Sequence, residues 1–173
     1  MRRIVLFTLL ILAFGCKNEG SQNPSQGGNN SNLKETLIKA NQKVVLTEDE
    51  QINNLINRYG WKMEETGTGL RYFIYKKGSG IASQKGQKVK INYSVRLISG
   101  DIVYSSDKSG PKIFTIGSGG VESGLEEAIL LMHQGDKAKL IIPSHLAFGL
   151  VGDDDKIPPK ASLIYDVEIL ELD

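Results

Sequence analysis

The chain has 173 residues, of which 40% are hydrophobic and 24% charged, so it is long enough for one ordinary globular domain with short appendages. Lys and Arg together number 21 and Asp and Glu 20, and this near-balance argues against a nucleic-acid-binding protein that works through a basic surface. The single Cys excludes an intramolecular disulfide framework and a Cys-rich metal site, while 19 Gly residues favour a turn-rich β protein.

Residues 1–15 are predicted to be a lipoprotein signal peptide. Two Arg residues precede an apolar run over residues 4–14, which is shorter than the roughly 20 residues that span a bilayer. The run leads into Cys16 through Leu-Ala-Phe-Gly, which resembles a bacterial lipobox, although a small residue is commoner where Phe14 stands. We therefore expect Cys16 to be lipidated and to anchor an exported protein to a membrane. A plain secretory signal, with Cys16 there by coincidence, is the alternative.

Residues 16–32 are predicted to be the lipidated Cys and a disordered tether. No hydrophobic side chain occurs in residues 17–32, so burial cannot offset the entropy of ordering this segment. Lys17, directly after the Cys, resembles the outer-membrane sorting signal of proteobacterial lipoproteins. We expect an outer-membrane location, and the sequence does not decide between its periplasmic and surface faces.

Residues 33–60 are predicted to form a helical segment of two helices. Apolar residues recur at helical spacing over residues 33–45, and Thr47 with Glu50 forms a capping-box pattern at the start of a second helix. Gly60 is a plausible stop for that second helix. This pair is predicted either to pack on the domain that follows or to serve as a dimerisation arm.

Residues 61–173 are predicted to form an antiparallel β domain, because the hydrophobic period changes from about 3.6 to 2 after Trp61. Alternation is clearest over residues 89–97 and 163–169. Further strands are predicted at 70–75, 102–105, 113–116 and 138–142, with a hairpin turn at 99–101. One internal helix is predicted around Leu125, Ala128, Ile129 and Met132, ending at Gly135. Many strands and one internal helix predict an α+β fold, with the sheet wrapped on a helix.

A series of short motifs then runs in order through the second half of the chain. Residues 88–93 read KVKINY, 100–106 GDIVYSS, 121–132 VESGLEEAILLM, 135–143 GDKAKLIIP, 146–149 LAFG, 157–159 IPP and 163–170 LIYDVEIL. Over about residues 86–173 this series resembles the FKBP-type peptidyl-prolyl cis-trans isomerases. The resemblance implies a bent antiparallel sheet of five or six strands curled around a short α-helix, with a pocket between them. The preceding helices, tether and lipobox resemble the lipoprotein members found in Bacteroidota, including those associated with gliding motility.

The resemblance also implies which residues form the pocket. Carried over by position, they are Tyr93, Val103, Tyr104, Phe114, Val121, Glu122, Leu125, Phe148, Ile157 and Tyr165. Leu125 stands where the family often has a Trp beneath the proline ring, and the backbone N–H of Glu122 would hold a substrate carbonyl. Tyr104 and Phe148 replace a usual Asp and Tyr, and Val103 replaces a usual Phe. Because Phe148 cannot donate a hydrogen bond, we expect catalysis weaker than in the best family members.

The function that the resemblance implies is rotation about X–Pro bonds of proline-containing polypeptides, in the folding of exported proteins. The barrier, about 20 kcal/mol, comes from amide resonance, and water stabilises the planar amide more than the twisted one. A dry pocket removes that preference without a metal, cofactor or nucleophile. The alternative is a weakly active or inactive module that binds proline peptides or acts as a chaperone.

Other chemistry-bearing residues are predicted to have ordinary roles. His133 and His145 have no metal-ligand spacing, and residues 153–155, three Asp in a row, lack the spacing of a calcium loop. Residues 117–120 are Gly-rich but lack the Lys-Ser/Thr ending of a phosphate loop. The Ser105-Ser106 pair has no nearby base. We interpret the two histidines as surface or strand-end residues and the serine pair as non-catalytic. We interpret residues 153–155 as a solvated turn and residues 117–120 as a turn before the helix.

Overall fold

The structure, a computed structural model, describes residues 29–173. The predicted signal peptide, the predicted lipidation site at Cys16 and most of the predicted tether lie outside the described residues. The chain divides into two compact units between Ile38 and Lys39. The described part of the first unit is helical, with the side chains of Leu33, Leu37 and Ile38 exposed.

One continuous helix, α1 (Asn29–Tyr59), replaces the predicted pair, so the prediction of two helices was wrong. Thr47 does not cap a second helix, because its hydroxyl donates to the Lys43 carbonyl at 2.9 Å from within α1. No Gly or Pro lies between Asn29 and Thr47 to interrupt the helix, and a capping-box pattern alone does not break one. The helix begins at Asn29, inside the segment predicted to be a tether, and ends before Gly60, whose φ of +63° suits a helix C-terminus.

The remainder of the second unit contains a seven-stranded antiparallel sheet and two short helices. The strands are β1 (Glu64–Glu65), β2 (Arg71–Lys76), β3 (Lys88–Leu97), β4 (Ile102–Ser105), β5 (Lys112–Thr115), β6 (Lys137–Ile142) and β7 (Leu163–Leu172). Their order in the sheet is β1-β2-β6-β7-β3-β4, and β5 pairs with the N-terminal part of β3. The helices are α2 (Ser106–Ser109) and α3 (Ser123–Leu130), and a 3-10 turn covers Ser144–Leu146. The α+β fold is therefore confirmed, with one or two strands more than expected.

The elements that the sequence did not predict are the shortest ones. β1 has two residues, α2 four and the 3-10 turn three, which is too few for a hydrophobic period to appear. The predicted hairpin turn is present: the Gly100 N–H donates to the Leu97 carbonyl at 2.9 Å, and φ of +100° at Gly100 suits a residue without Cβ. Helix α3 ends at Leu130, so Met132 is buried just beyond it rather than within it.

The sheet separates two hydrophobic cores. On one face, α3 packs through Leu125, Ala128 and Ile129 against alternate residues of β3, β6 and β7. A Cβ on Gly124 would come within 2.4 Å of Ile142 Cγ2, so only Gly permits this close approach of helix and sheet. On the other face, Ile52 and Leu55 of α1 pack against Ile141 and Ile164. No helix within residues 29–173 is long and apolar enough to cross a membrane.

Candidate functional site

A cavity of about 270 Å³ opens on the α3 face of the sheet. The strands β3, β4, β5 and β7, the residue before α3 and the loop between β6 and β7 each contribute to it. Its lining consists of Tyr93, Val95, Tyr104, Lys112, Glu122, Phe148, Asp153 and Tyr165. The volume lies near the lower limit of ligand pockets, which begin at roughly 300 Å³, so the cavity suits a single ring rather than a large ligand.

Five of the ten residues assigned to the pocket from the sequence line this cavity, namely Tyr93, Tyr104, Glu122, Phe148 and Tyr165. The other five belong to the core around it. Phe114 and Ile157 are buried there, and Val103 and Val121 are half-buried against it. Leu125 is fully buried and lies outside the lining, so in this structure it supports the cavity from behind instead of forming an exposed floor.

A hydrogen bond between Tyr165 and Glu122 lies within the cavity lining. The Tyr165 hydroxyl donates to Glu122 Oε1 at 2.6 Å. Burial, together with the charge of Glu122 and this hydrogen bond, raises the pKa of Tyr165 well above its usual value of 10.0. Glu122 Oε2 is buried and has no hydrogen-bond partner among the described residues. The Glu122 side chain therefore gives the pocket a polar wall.

A second polar contact joins Tyr104 to the loop between β6 and β7. The Tyr104 hydroxyl donates to Asp153 Oδ2, and Asp153 Oδ1 accepts the backbone N–H of Asp155, Lys156 and Ile157 at 3.1, 2.9 and 2.7 Å. Burial acts to raise the pKa of Asp153, but the hydrogen bonds from Tyr104 and the three N–H groups outweigh burial and lower that pKa below 3.8. The hydrogen bond to Asp153 and burial raise the pKa of Tyr104. The interpretation of residues 153–155 as merely a solvated turn was thus wrong for Asp153.

Two Lys side chains lie over aromatic rings at the cavity. Lys112 Nζ is 5.5 Å from the centroid of the Tyr93 ring, and Lys156 Nζ is 4.8 Å from that of Tyr104, both within cation–π range. The Tyr93 hydroxyl is 2.9 Å from Ser109 Oγ on α2. These contacts hold the two tyrosines at the rim in fixed orientations.

Sequence reasoning missed Val95, Lys112 and Asp153 as lining residues. Val95 and Lys112 could have been found from strand alternation, since each lies two residues from a predicted pocket residue, Tyr93 and Phe114 respectively. Asp153 lies between Phe148 and Ile157, so its place in the pocket loop was available from the sequence. What the sequence did not supply was the partner, Tyr104, 49 residues away.

The remaining candidates lie apart from the cavity lining. His145 Nε2 is 3.0 Å from the Thr68 carbonyl oxygen, and exposed His133 has Nδ1 3.8 Å from Asp136 Oδ2. Ser106 Oγ is 3.2 Å from both the backbone N and O of Tyr93. The Gly119 N–H donates to Glu126 Oε1 at 3.0 Å in the turn before α3. No group of three His, Cys, Asp or Glu within residues 29–173 is placed to hold a metal ion.

The chemistry available to the cavity comes from four aromatic side chains, one Val and three charged side chains. Four aromatic rings and Val95 can desolvate a small apolar ring, which the pyrrolidine of proline is. The polar atoms of Glu122, Asp153 and Tyr104 can accept or donate hydrogen bonds to the flanking peptide groups. The rings together with these polar groups suit the cavity to binding a peptide segment.

Comparison with known proteins assigns this arrangement to a family. The sequence model of the family described as "FKBP-type peptidyl-prolyl cis-trans isomerase" matches residues 80–170, which include all eight residues of the cavity lining. FK506-binding protein 2 of Dictyostelium discoideum is 43% identical over 91 residues, which cover 52% of this chain and 68% of the relative. The FKBP-type 22 kDa peptidyl-prolyl cis-trans isomerase of Escherichia coli is 35% identical over 111 residues, 64% of this chain and 53% of the relative.

Solved structures agree with the sequence matches. The crystal structure of FkpA from Escherichia coli superposes with a TM-score of 0.65 and 30% identity, covering 82% of this chain and 67% of that one. The crystal structure of AtFKBP13 gives a TM-score of 0.62 and 32% identity, covering 64% of this chain and 98% of that one.

Proposed function

The chain belongs to the family of FKBP-type peptidyl-prolyl cis-trans isomerases, a class of enzyme, and we propose that it is a membrane-anchored member that rotates X–Pro bonds in exported polypeptides. The observation that supports this most directly is the small aromatic cavity between α3 and the sheet, because five residues assigned by the resemblance meet there. Substrates are proline-containing segments, and no cofactor or metal takes part in the proposed reaction.

The physical basis is differential stabilisation of the twisted amide. The planar X–Pro amide is stabilised by resonance and by hydrogen bonds from water, and the barrier of about 20 kcal/mol reflects the loss of that resonance on twisting. Enclosing the proline ring among Tyr93, Phe148 and Tyr165 removes water from the planar form while the flanking peptide is held. The uncatalysed reaction takes tens of seconds, which is slow enough to limit folding of an exported protein.

A protease-coupled assay on an X–Pro peptide tests the activity, with Phe148→Tyr and Leu125→Ala beside the wild type. Phe148→Tyr supplies a hydroxyl in the lining, and we expect activity to rise about fivefold, the equivalent of one hydrogen bond of about 1 kcal/mol. Leu125→Ala opens a void directly behind the lining, and we expect activity to fall. No response to either change would place the active pocket elsewhere.

The rival function is a module that binds proline peptides without useful catalysis. Phe148 lacks the hydroxyl expected at its position, and the Tyr165–Glu122 hydrogen bond makes part of the lining polar. A rate equal to that in buffer, with retained peptide binding, would favour this second function over the first.

The anchoring part of the proposal is supported by the sequence alone. The Arg pair, the apolar run and Cys16 at its end fit a lipoprotein signal, and the acyl chains on one Cys would contribute roughly 0.8 kcal/mol for each buried CH₂. Because the helical segment, the tether and the lipobox resemble those of Bacteroidota lipoproteins, including the gliding-motility type, we propose that the chain belongs with them, and Lys17 supports an outer-membrane location. Cys16→Ser should move the protein from the membrane to the soluble fraction, and unchanged fractionation would contradict the anchor.

A second copy of this chain is the partner that we propose for α1. Leu33, Leu37, Ala40 and Val44 recur at spacings of four, three and four, which is the pattern of a coiled-coil seam, and all four are exposed. Sedimentation at micromolar concentration should show a dimer that Leu37→Glu converts to a monomer. A wild-type monomer would contradict the pairing.

A further inference from the structure

The loop between β6 and β7, residues 143–162, brings together much of the proposed active site. Phe148 and Asp153 line the cavity, and Ile157 is buried beside it. Ser144 stands at the start of this loop and Ser162 at its end, directly before β7. Contacts to these two serines therefore act on both ends of the loop.

A single side chain from α1 contacts both ends of the loop. Glu48 Oε1 accepts the Ser144 N–H at 2.6 Å and the Ser162 hydroxyl at 2.5 Å, and Glu48 Oε2 accepts the Ser144 hydroxyl at 3.0 Å. Glu48 is half-buried and Ser162 is only 4% exposed, so water has little access to replace these bonds. Hydrogen bonds to an ionised acceptor are stronger than neutral ones.

Hydrogen bonds inside the loop connect these ends to the cavity. The Gly149 N–H donates to the Ser144 carbonyl at 2.8 Å, and the Lys160 N–H donates to the Gly149 carbonyl at 2.8 Å. Gly149 directly follows Phe148. Beyond it, Asp153 holds the turn to Ile157 through its Oδ1. These bonds connect the backbone of Ser144 to the residue that follows Phe148.

We propose that Glu48 is a positioning residue for isomerisation: by fixing both ends of the loop, it holds Phe148 and Asp153 at the cavity. The inference rests on the proposed isomerase function. Helix α1 thereby has a role in the reaction, in addition to any role in anchoring or pairing. Loss of the Glu48 hydrogen bonds loosens the pocket while the sheet stays folded. Glu48 itself does not line the cavity, so it acts through the loop.

The neighbouring residue provides a matched control. Asp49 also attaches α1 to the sheet, but its carboxylate bonds to buried Arg71 on β2 and to Asn53 on α1 rather than to a residue of the loop. Asp49→Ala therefore weakens the attachment of α1 without removing a bond to residues 143–162. Glu48→Gln keeps a carbonyl oxygen that can accept two bonds and adds an amide that can donate to Ser144 Oγ.

The experiment compares Glu48→Ala, Glu48→Gln and Asp49→Ala in the full chain, measuring kcat/KM on an X–Pro peptide and amide hydrogen exchange at Gly149, Ile157 and Lys160. We expect Glu48→Ala to lower kcat/KM about tenfold and to speed exchange at these amides. We expect Glu48→Gln to recover kcat/KM to within about threefold of wild type, and Asp49→Ala to stay within about twofold with unchanged loop exchange.

Equal losses of kcat/KM in Glu48→Ala and Asp49→Ala would overturn the inference, because helix attachment in general would then suffice. Unchanged loop exchange in Glu48→Ala would also overturn it. Should Glu48→Ala fail to fold, as reported by Trp61 fluorescence, Ser162→Ala removes one of the three bonds and should cost about threefold. A wild-type isomerisation rate equal to the uncatalysed rate in buffer would contradict the proposed function instead. Hydrogen exchange at the loop amides would still decide whether Glu48 holds the loop.

Discussion

At the scale of single residues, the pocket is held by pairs whose members come from distant parts of the sequence. Tyr104, on β4, takes the place where the resemblance implied an Asp, and Asp153 from the loop brings a carboxylate to the Tyr104 hydroxyl. Asp153 also accepts three backbone N–H groups. The carboxylate missing from position 104 is therefore present at the cavity, supplied from another element.

The first prediction concerns Asp153. Asp153→Ala removes the acceptor of four hydrogen bonds and frees the turn to Ile157, so we expect kcat/KM to fall about fivefold to tenfold. Tyr104→Phe removes only one donor and should cost about twofold. The peptide assay measures both.

Asp155→Ala is the control for this prediction. The exposed Asp155 carboxylate is 3.3 Å from the Tyr104 hydroxyl and accepts no backbone N–H from the turn. Its removal should change kcat/KM by less than about twofold. A loss in Asp155→Ala as large as that in Asp153→Ala would mean that the charge of the loop, and not its tethering, supports activity.

At the scale of secondary structure, α1 is attached to the sheet by a small core of its own. Ile52 is fully buried and Leu55 4% exposed against Ile141 and Ile164, on the face opposite to α3. Trp61 packs at the edge of this core and stacks on Tyr59 at a centroid distance of 4.7 Å. The only Trp in the chain thus reports on the attachment of α1.

The second prediction is that Ile52→Ala lowers the free energy of unfolding by about 2–4 kcal/mol, because truncation of a buried Ile loses burial and leaves a void. Urea titration followed by Trp61 fluorescence measures the change. Gln51→Ala on the same helix, at an exposed position outside the proposed dimer seam, should cost less than about 0.5 kcal/mol. An effect of Ile52→Ala no larger than that of Gln51→Ala would mean that α1 does not share the cooperative unit of the sheet.

At the scale of the whole molecule, three hydrogen-bonded tyrosines, of which Tyr165 is buried, couple stability to alkaline pH. Burial, with contributions from Glu122, raises the pKa of Tyr165, and the bond to Asp153 does so for Tyr104. Burial and the bond to Asp166 raise the pKa of Tyr75. Above pH 10.0, the unfolded chain releases these protons while the folded chain retains them, so the unfolded state binds fewer protons.

The third prediction is therefore that the free energy of unfolding falls as pH rises above about 10 and continues to fall until these tyrosines ionise in the folded state. Tyr165→Phe should give a shallower decline than wild type, since Phe has no proton to lose. Denaturant titrations at intervals of about half a pH unit between pH 8 and 11 measure how steeply the free energy of unfolding declines with pH in each protein. Parallel slopes for the two proteins would contradict the assignment to Tyr165.

The acid side has the opposite sign. The pKa values of Asp153 and Asp166 are lowered below 3.8, because hydrogen bonds to each carboxylate outweigh the opposing effect of burial. Asp153 accepts these bonds from Tyr104 and backbone N–H groups. Asp166 accepts them from Lys139 and Tyr75. Their stabilisation is complete above about pH 4 and is lost as pH falls through the lowered pKa values.

The fold class could be predicted from the sequence, because strand alternation on β3 and β7 and the apolar face of α3 are local patterns that burial imposes directly. Five of the residues that the family motifs assigned to the pocket line one cavity. The sequence did not predict that one helix continues through Thr47. A Thr at this place can either begin a new helix as its cap or lie inside a longer one, and packing decides between the two.

The tertiary structure alone decided the polar partners. Glu122 with Tyr165, Asp153 with Tyr104, and Glu48 with Ser144 and Ser162 are separated by 43 to 114 residues, so no local period relates them. Hydrophobic residues need only the correct face of an element to be buried, whereas a hydrogen bond needs two specific atoms about 3 Å apart. That requirement is met only when strands, helices and loop have reached their final positions.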